Sequence, residues 1–168
     1  MKLSLIFLIL VTGQAFAKIE LCQRRAEIAY GIFDHYWLKT DTITAGMGSG
    51  NLYTEAIGKQ RERPFTKVFI VDHSTQVPEK CTEYTNHDEA CVNKELEIGK
   101  PIGRFTPTNQ CLSFVKRVLR KCETAEYKLI KKERSEYRQL VWMEERGEHL
   151  TNKELKRMDE LGRKYNFD

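Results

Sequence analysis

The apolar positions change period along the chain. Phe33-Asp34-His35-Tyr36-Trp37-Leu38-Lys39-Thr40 is aromatic and β-favouring. A two-residue period there puts Phe33, His35 and Trp37 on one face and Asp34, Tyr36 and Leu38 on the other. Lys67-Val68-Phe69-Ile70-Val71-Asp72 is apolar on both faces, which predicts an interior strand beside the His35 strand, ending in Asp72-His73-Ser74. Residues 18–30 suit either a helix or a strand. Ala45-Gly46-Met47-Gly48-Ser49-Gly50-Asn51 reads as a flexible loop. It lacks the strand–turn–helix context and Lys-Ser/Thr ending of a phosphate loop.

From Cys111 onward the period becomes helical. Cys111, Phe114, Val115, Val118, Leu119 and Cys122 form one face, and Lys116, Arg117, Arg120 and Lys121 the other. Pro107 keeps Thr106 extended, and Thr108 or Asn109 is the expected cap. Residues 125–146 follow as a charged helix with an apolar stripe of Ile130, Tyr137, Leu140 and Val141, ended by Gly147. Thr151-Asn152-Lys153-Glu154 is a capping box that starts another helix, with Leu155, Met158, Leu161 and Tyr165 on one face. Residues 124–168 are therefore an expected antiparallel helical hairpin. It either packs at home or serves as a docking arm for a protein partner.

The start of the chain has a different logic. Met1-Lys2, the apolar run Leu3–Val11 and Ala15-Phe16-Ala17 make a secretory signal peptide over 1–17, with Lys18 as the mature start. The run is too short to span a bilayer, and no later segment is a candidate. Ile19-Glu20-Leu21 before Cys22 is a poor lipoprotein signal. The expectation is a secreted or periplasmic product without a transmembrane segment. Its length fits one domain over 18–123 with the hairpin appended. The net charge of +4 falls to +3 when Lys2 leaves with the leader. With acids and bases interspersed, this suits an anionic envelope surface and is no nucleic-acid footprint.

Export makes disulfides expected, and five cysteines leave one over. Cys81 and Cys91 bracket a short polar loop inside the excursion from Pro78 to Lys100, and are the expected first bridge, contributing about 2–3 kcal/mol. Cys111 and Cys122 lie on one helix at about 16 Å, too far to bond. Cys122 then pairs with Cys22, and Cys111 is left as a thiol. At a helix N-terminus a thiolate is stabilised, so Cys111 is a candidate nucleophile as well as a candidate small core residue. His35, sheltered between aromatics, is its candidate base. His73 or Asp72, at the end of the next strand, is the candidate third group that orients the imidazole. The four histidines, His35, His73, His87 and His149, have no metal-ligand spacing, so no metal is expected.

A His-aromatic-hydrophobic strand (His35-Tyr36-Trp37-Leu38) followed by a helix start with Asn109-Gln110-Cys111-Leu112-Ser113-Phe114 resembles the circularly permuted papain-like cysteine hydrolases. These are the NlpC-type branch, which includes peptidoglycan amidases and lecithin–retinol-type acyltransferases. The resemblance covers roughly residues 31–122. It departs at Gln110, which separates Asn109 from the cysteine. It implies an α+β fold in which a small antiparallel sheet packs against the helix that starts at the cysteine. It also implies cofactor-free acyl transfer: Cys111 attacks an amide or ester, His35 takes the thiol proton, and the Cys111 N–H serves the oxyanion. The implied partner is a peptide or acyl substrate, a cell-wall peptide among them. The competing expectations are a non-catalytic secreted binding or inhibitor module, stabilised by disulfides, and an envelope protein that assembles through the hairpin.

Overall fold

A computed structural model describes residues 18–26, 34–49 and 67–166. The expected signal peptide and Phe33 lie outside these residues. The strands are β1 (Ile19–Arg25), β2 (Asp34–Lys39), β3 (Thr44–Ser49), β4 (Lys67–Asp72), β5 (Lys80–Tyr84) and β6 (Pro101–Arg104). The helices are α1 (Glu89–Glu95), α2 (Cys111–Lys121), α3 (Ala125–Glu145) and α4 (Asn152–Tyr165). The fold is α+β, with one antiparallel sheet in the order β5-β1-β2-β3-β4-β6. Among the described residues no helix is long and apolar enough to cross a membrane.

The core forms where α2 packs on the sheet. Phe114, Val115, Val118 and Leu119 of α2 share one buried cluster with Leu38, Ala45, Met47, Val68 and Ile70, and Val92 and Leu96 extend it under α1. The helical period of α2 predicts this face, and the cations Lys116, Arg117, Arg120 and Lys121 lie exposed opposite it. Ile70 is fully buried, as an interior strand requires.

The glycine-rich segment departs from its reading as a loop. Thr44–Ser49 is the interior strand β3, inserted between β2 and β4, so β4 does not adjoin the His35 strand. Gly46 lies opposite Trp37 and Gly48 opposite Phe69 in register, and Trp37 fills the space that Gly46 leaves. The ambiguous segment after Lys18 is strand β1, paired on both sides.

The bridges also depart from expectation. Cys22 pairs with Cys81, and Cys91 with Cys122. Cys22 and Cys81 are register partners across β1 and β5, so strand pairing brings their sulfurs together. Cys91 lies on α1, beyond the end of β5, and bonds Cys122, so it closes no loop with Cys81. Asp88 caps α1 through its side chain and donates its N–H to the Cys122 carbonyl at 2.9 Å, which sets Cys91 beside Cys122. The excursion from Pro78 to Lys100 is thus stapled to two other elements and holds a strand and a helix.

Helices α3 and α4 pack on each other as a hairpin. Thr124 caps α3, and the Thr151/Glu154 capping box starts α4. Leu140 and Leu161 are buried between them, whereas Leu155, expected on the apolar face, is exposed. The contact also contains a charge network absent from the expected stripe. Glu133 accepts from Arg157, Lys164 and Tyr165. These donors, Lys164 first, lower its carboxyl to about 2. The sign of this linkage is that of a depressed acid: its stabilising effect is present above the ordinary carboxylate range and is lost as pH falls towards 2.

Peptide mapping without reduction is expected to recover Cys22–Cys81 and Cys91–Cys122, and a Cys81–Cys91 peptide would contradict the strand pairing. Loop-closure entropy assigns each bridge about 3–4 kcal/mol. The Cys91→Ala/Cys122→Ala double variant should lose that much in urea unfolding.

Candidate active site

The site is assembled where β2 and α2 begin. His35 is the second residue of β2, and Cys111 is the first residue of α2. Cys111 takes part in neither disulfide and is buried. Its Sγ lies 3.3 Å from His35 Nδ1. The other ring nitrogen of His35, Nε2, lies 2.7 Å from His73 Nε2. His73 Nδ1 lies 2.9 Å from the Val71 carbonyl. The two candidate third groups are thereby separated. His73 meets the His35 ring. Asp72 is exposed and turned into its own loop, accepting from Ser74 N at 2.8 Å and Ser74 Oγ at 3.0 Å.

The chain of contacts has a direction. A carbonyl only accepts, so His73 Nδ1 carries a hydrogen and donates to Val71. Burial holds the His73 pKa below the ordinary histidine value, more than the Val71 bond and the Asp72 charge raise it, which favours the neutral ring. Its Nε2 is then an acceptor. His35 Nε2 must therefore carry the hydrogen between the rings. Burial first, then the repulsion a charged His73 ring would exert and the Arg24 charge, lowers His35 to about 3, which favours its neutral form. Its Nδ1 is left as a bare acceptor aimed at Cys111. The Val71 carbonyl thus fixes two tautomers and leaves a base facing a thiol.

Local sequence explains how the rings fit. The His73 N–H donates to Thr44 O at 2.8 Å, which continues the β3–β4 pairing by one residue. Trp37 flanks both imidazoles, with ring centroids 5.8 Å from each. Gly46 makes room: a Cβ there would come 2.8 Å from Trp37 Cβ and 3.3 Å from His73 Cε1. The Ala45–Asn51 segment carried this signal in its glycines, but without a known neighbour they read equally well as loop residues.

The approach to Cys111 is organised by residues around the expected cap. Gln110, rather than Thr108 or Asn109, is the N-cap residue. The Gln110 N–H donates to Ser113 Oγ at 2.9 Å. Asn109 clamps the loop: its Nδ2 donates to the carbonyls of Ile102 and Arg104, and its Oδ1 accepts from Arg117. Asn109 thus shapes the loop that delivers the cysteine. Sequence reading also missed Arg24, which is the register partner of His35 across β1 and β2.

Cys22, Cys81, Cys91 and Cys122 lie in the two bridges, and His87 is remote from the cysteine, packed against Tyr84 and Tyr127. No group of three or more His, Cys, Asp or Glu suited to a metal ion occurs among the described residues. The chain matches no known family model, no curated protein and no solved structure.

Gly46→Ala is expected to destabilise the protein by about 1–3 kcal/mol through overpacking. It should also slow alkylation of Cys111 by pushing His73 off the His35 ring. Urea unfolding and thiol labelling check the two effects separately, and unchanged values in both would remove Gly46 from the account.

Proposed function

We propose that the protein is a cysteine-dependent acyl-transfer enzyme, an amidase, peptidase or acyltransferase of the circularly permuted papain-like type. The observation that carries this is the directed chain Val71 O, His73, His35, Cys111, with the thiol 3.3 Å from the imidazole nitrogen that lacks a hydrogen. This matches the nucleophile, base and orienting group of covalent catalysis. The sulfur attacks the carbonyl carbon as its proton moves to His35 Nδ1. The new imidazolium keeps its Nε2–H on the neutral acceptor of His73. The carbonyl oxygen, now negative, is stabilised by the Cys111 N–H at the helix start. Collapse expels the amine or alcohol, which takes the proton back from His35. Water or a second substrate then resolves the thioester.

Two disulfides fit an oxidising compartment. We therefore place the enzyme outside the cytoplasm, secreted or periplasmic, with peptides of the cell wall as its leading substrates. The exposed cations of α2 favour such anionic surroundings. The hairpin is assigned no part in the chemistry.

Cys111→Ser should abolish hydrolysis of model amides and esters. His35→Ala should lower kcat/KM about 10²- to 10⁴-fold. His73→Ala should cost less, acting on kcat through His35 orientation. Because His35 is lowered to about 3, its base form persists above that pH. The acid limb of kcat/KM is therefore expected well below the ordinary histidine range. Hydrolysis unaffected by Cys111→Ser would leave a binding module as the function.

A further inference from the structure

Helix α3 sorts its charges by side. Lys128, Lys132, Ser135, Gln139, Trp142 and the C-cap Arg146 recur at the spacing of one helical row, and all are exposed. Lys131 and Arg138 flank the row and are exposed as well. Glu133 and Leu140, buried against α4, lie on the opposite side of the helix. Helical spacing puts the acids Glu126, Glu136 and Glu144 on that side too, while Glu145 borders the row. Lys131 pairs with Glu123 at 2.7 Å and Arg146 with Glu148 at 3.6 Å. Lys132 acts on Glu136 through its charge, and Lys128, Lys132 and Arg138 have no ion pair among the described residues. The outer face of α4 is mixed by contrast: Arg163 pairs with Asp159, and Lys153 and Lys156 are interspersed with Glu160. The segregation of cations is therefore a property of α3 and not of the hairpin as a whole.

Trp142 sets the kind of partner. It is 51% exposed, whereas Trp37 is 1% exposed. The Arg146 guanidinium lies 4.4 Å over its ring. An indole has an apolar body and an N–H tip, and it is at home in the headgroup layer between water and hydrocarbon. The row is convex and runs about 27 Å from Lys128 to Arg146 along one helix. Such a row meets a plane of charge along its whole length, whereas a single polyanionic strand would have to be wrapped. Lys and Arg beside an aromatic side chain are the features by which a helix lies on an anionic membrane. We propose that the outer face of α3 binds the surface of a membrane rich in anionic phospholipid, with Lys128, Lys132 and Arg138 on headgroup phosphates and Trp142 among the headgroups. This docking uses neither Cys111 nor His35, so it stands apart from the acyl-transfer reading.

The test is titration of the exported protein, both bridges formed, with vesicles of phosphatidylglycerol mixed into phosphatidylcholine. Trp37 and Trp142 are the two tryptophans of the chain, and Trp37 is already buried, so a shift of emission to shorter wavelength reports Trp142. The shift and cosedimentation should both appear with the mixed vesicles and be absent with phosphatidylcholine alone. High salt should abolish them. Each cation beside an anionic leaflet favours partitioning about fivefold, so the Lys128→Gln/Arg138→Gln variant should partition about 25-fold less. The Lys153→Gln/Lys156→Gln variant removes the same charge from the outer face of α4 and should stay within about twofold of the native protein. All four positions are exposed, and circular dichroism checks that both variants remain folded. Trp142→Phe should lose the emission shift and keep most of the binding. Absence of binding to the mixed vesicles overturns the inference. So does an equal loss in the α4 variant, which would place the attraction in net charge, or binding that leaves Trp142 emission unchanged. Binding of a soluble polyphosphate or DNA, lost in the Lys128→Gln/Arg138→Gln variant, without binding to vesicles would assign the row to another class of polyanion and overturn it as well.

Discussion

The hydrogen bond from His73 to the Val71 carbonyl, 2.9 Å long, is the constraint on which the site depends. It is local, spanning two residues at the end of β4, and it is one-directional because a carbonyl has no hydrogen to give. From it follow the tautomer of His73, the tautomer of His35 and the direction in which the Cys111 hydrogen points. A side-chain carboxylate in place of His73 would also orient His35, but it would add a negative charge and favour the imidazolium at rest. A neutral imidazole orients without doing so. The resting site is accordingly a thiol facing a neutral base.

The rest of the fold serves to bring three distant pieces of chain to that carbonyl. The residue separations are 38 between His35 and His73 and 76 between His35 and Cys111. Strand β3 sits between β2 and β4, so the two histidines must meet across an intervening strand. They do so beside Gly46, where a Cβ would crowd Trp37 and His73. The core under α2 fixes the position of the helix start, and the Asn109 clamp fixes the loop that enters it. Neither bridge includes Cys111; they tie β5 and α1 to β1 and to the end of α2. The Cys111 thiol can therefore coexist with an oxidised scaffold.

How much of this was legible in the sequence depended on the range of the interaction. The helical period after Cys111, the Thr151 capping box and the two-sided apolar strand Lys67–Asp72 are local signals, and each leads to the observed element. The pairing of cysteines is set by strand register, which sequence spacing does not reveal. Cys81 and Cys91 are near in sequence, but a strand end and a helix start separate them. Glycines at 46 and 48 look alike in a loop and in a strand; only the register neighbours Trp37 and Phe69 distinguish the two. The choice between Asp72 and His73 also rested on long-range geometry. An aspartate followed two residues later by serine closes a local turn on itself, and that competing bond withdraws Asp72 from the site.

The depressed basicity of His35 sets the remaining condition on the chemistry. Burial favours the neutral ring, and so do the nearby His73 and Arg24. Such a base takes a proton only when something in the transition state stabilises the imidazolium. Part of that stabilisation is already in place, since His35 Nε2–H points at an acceptor, and a hydrogen bond strengthens when its donor becomes charged. The developing oxyanion supplies more, because opposite charges formed close together in a poorly solvated site attract strongly. Neither is present before attack begins. On the proposed reading, the site is weakly basic at rest and becomes a better proton acceptor as the carbonyl is attacked, which is the differential stabilisation that accelerates a reaction rather than merely binding its substrate.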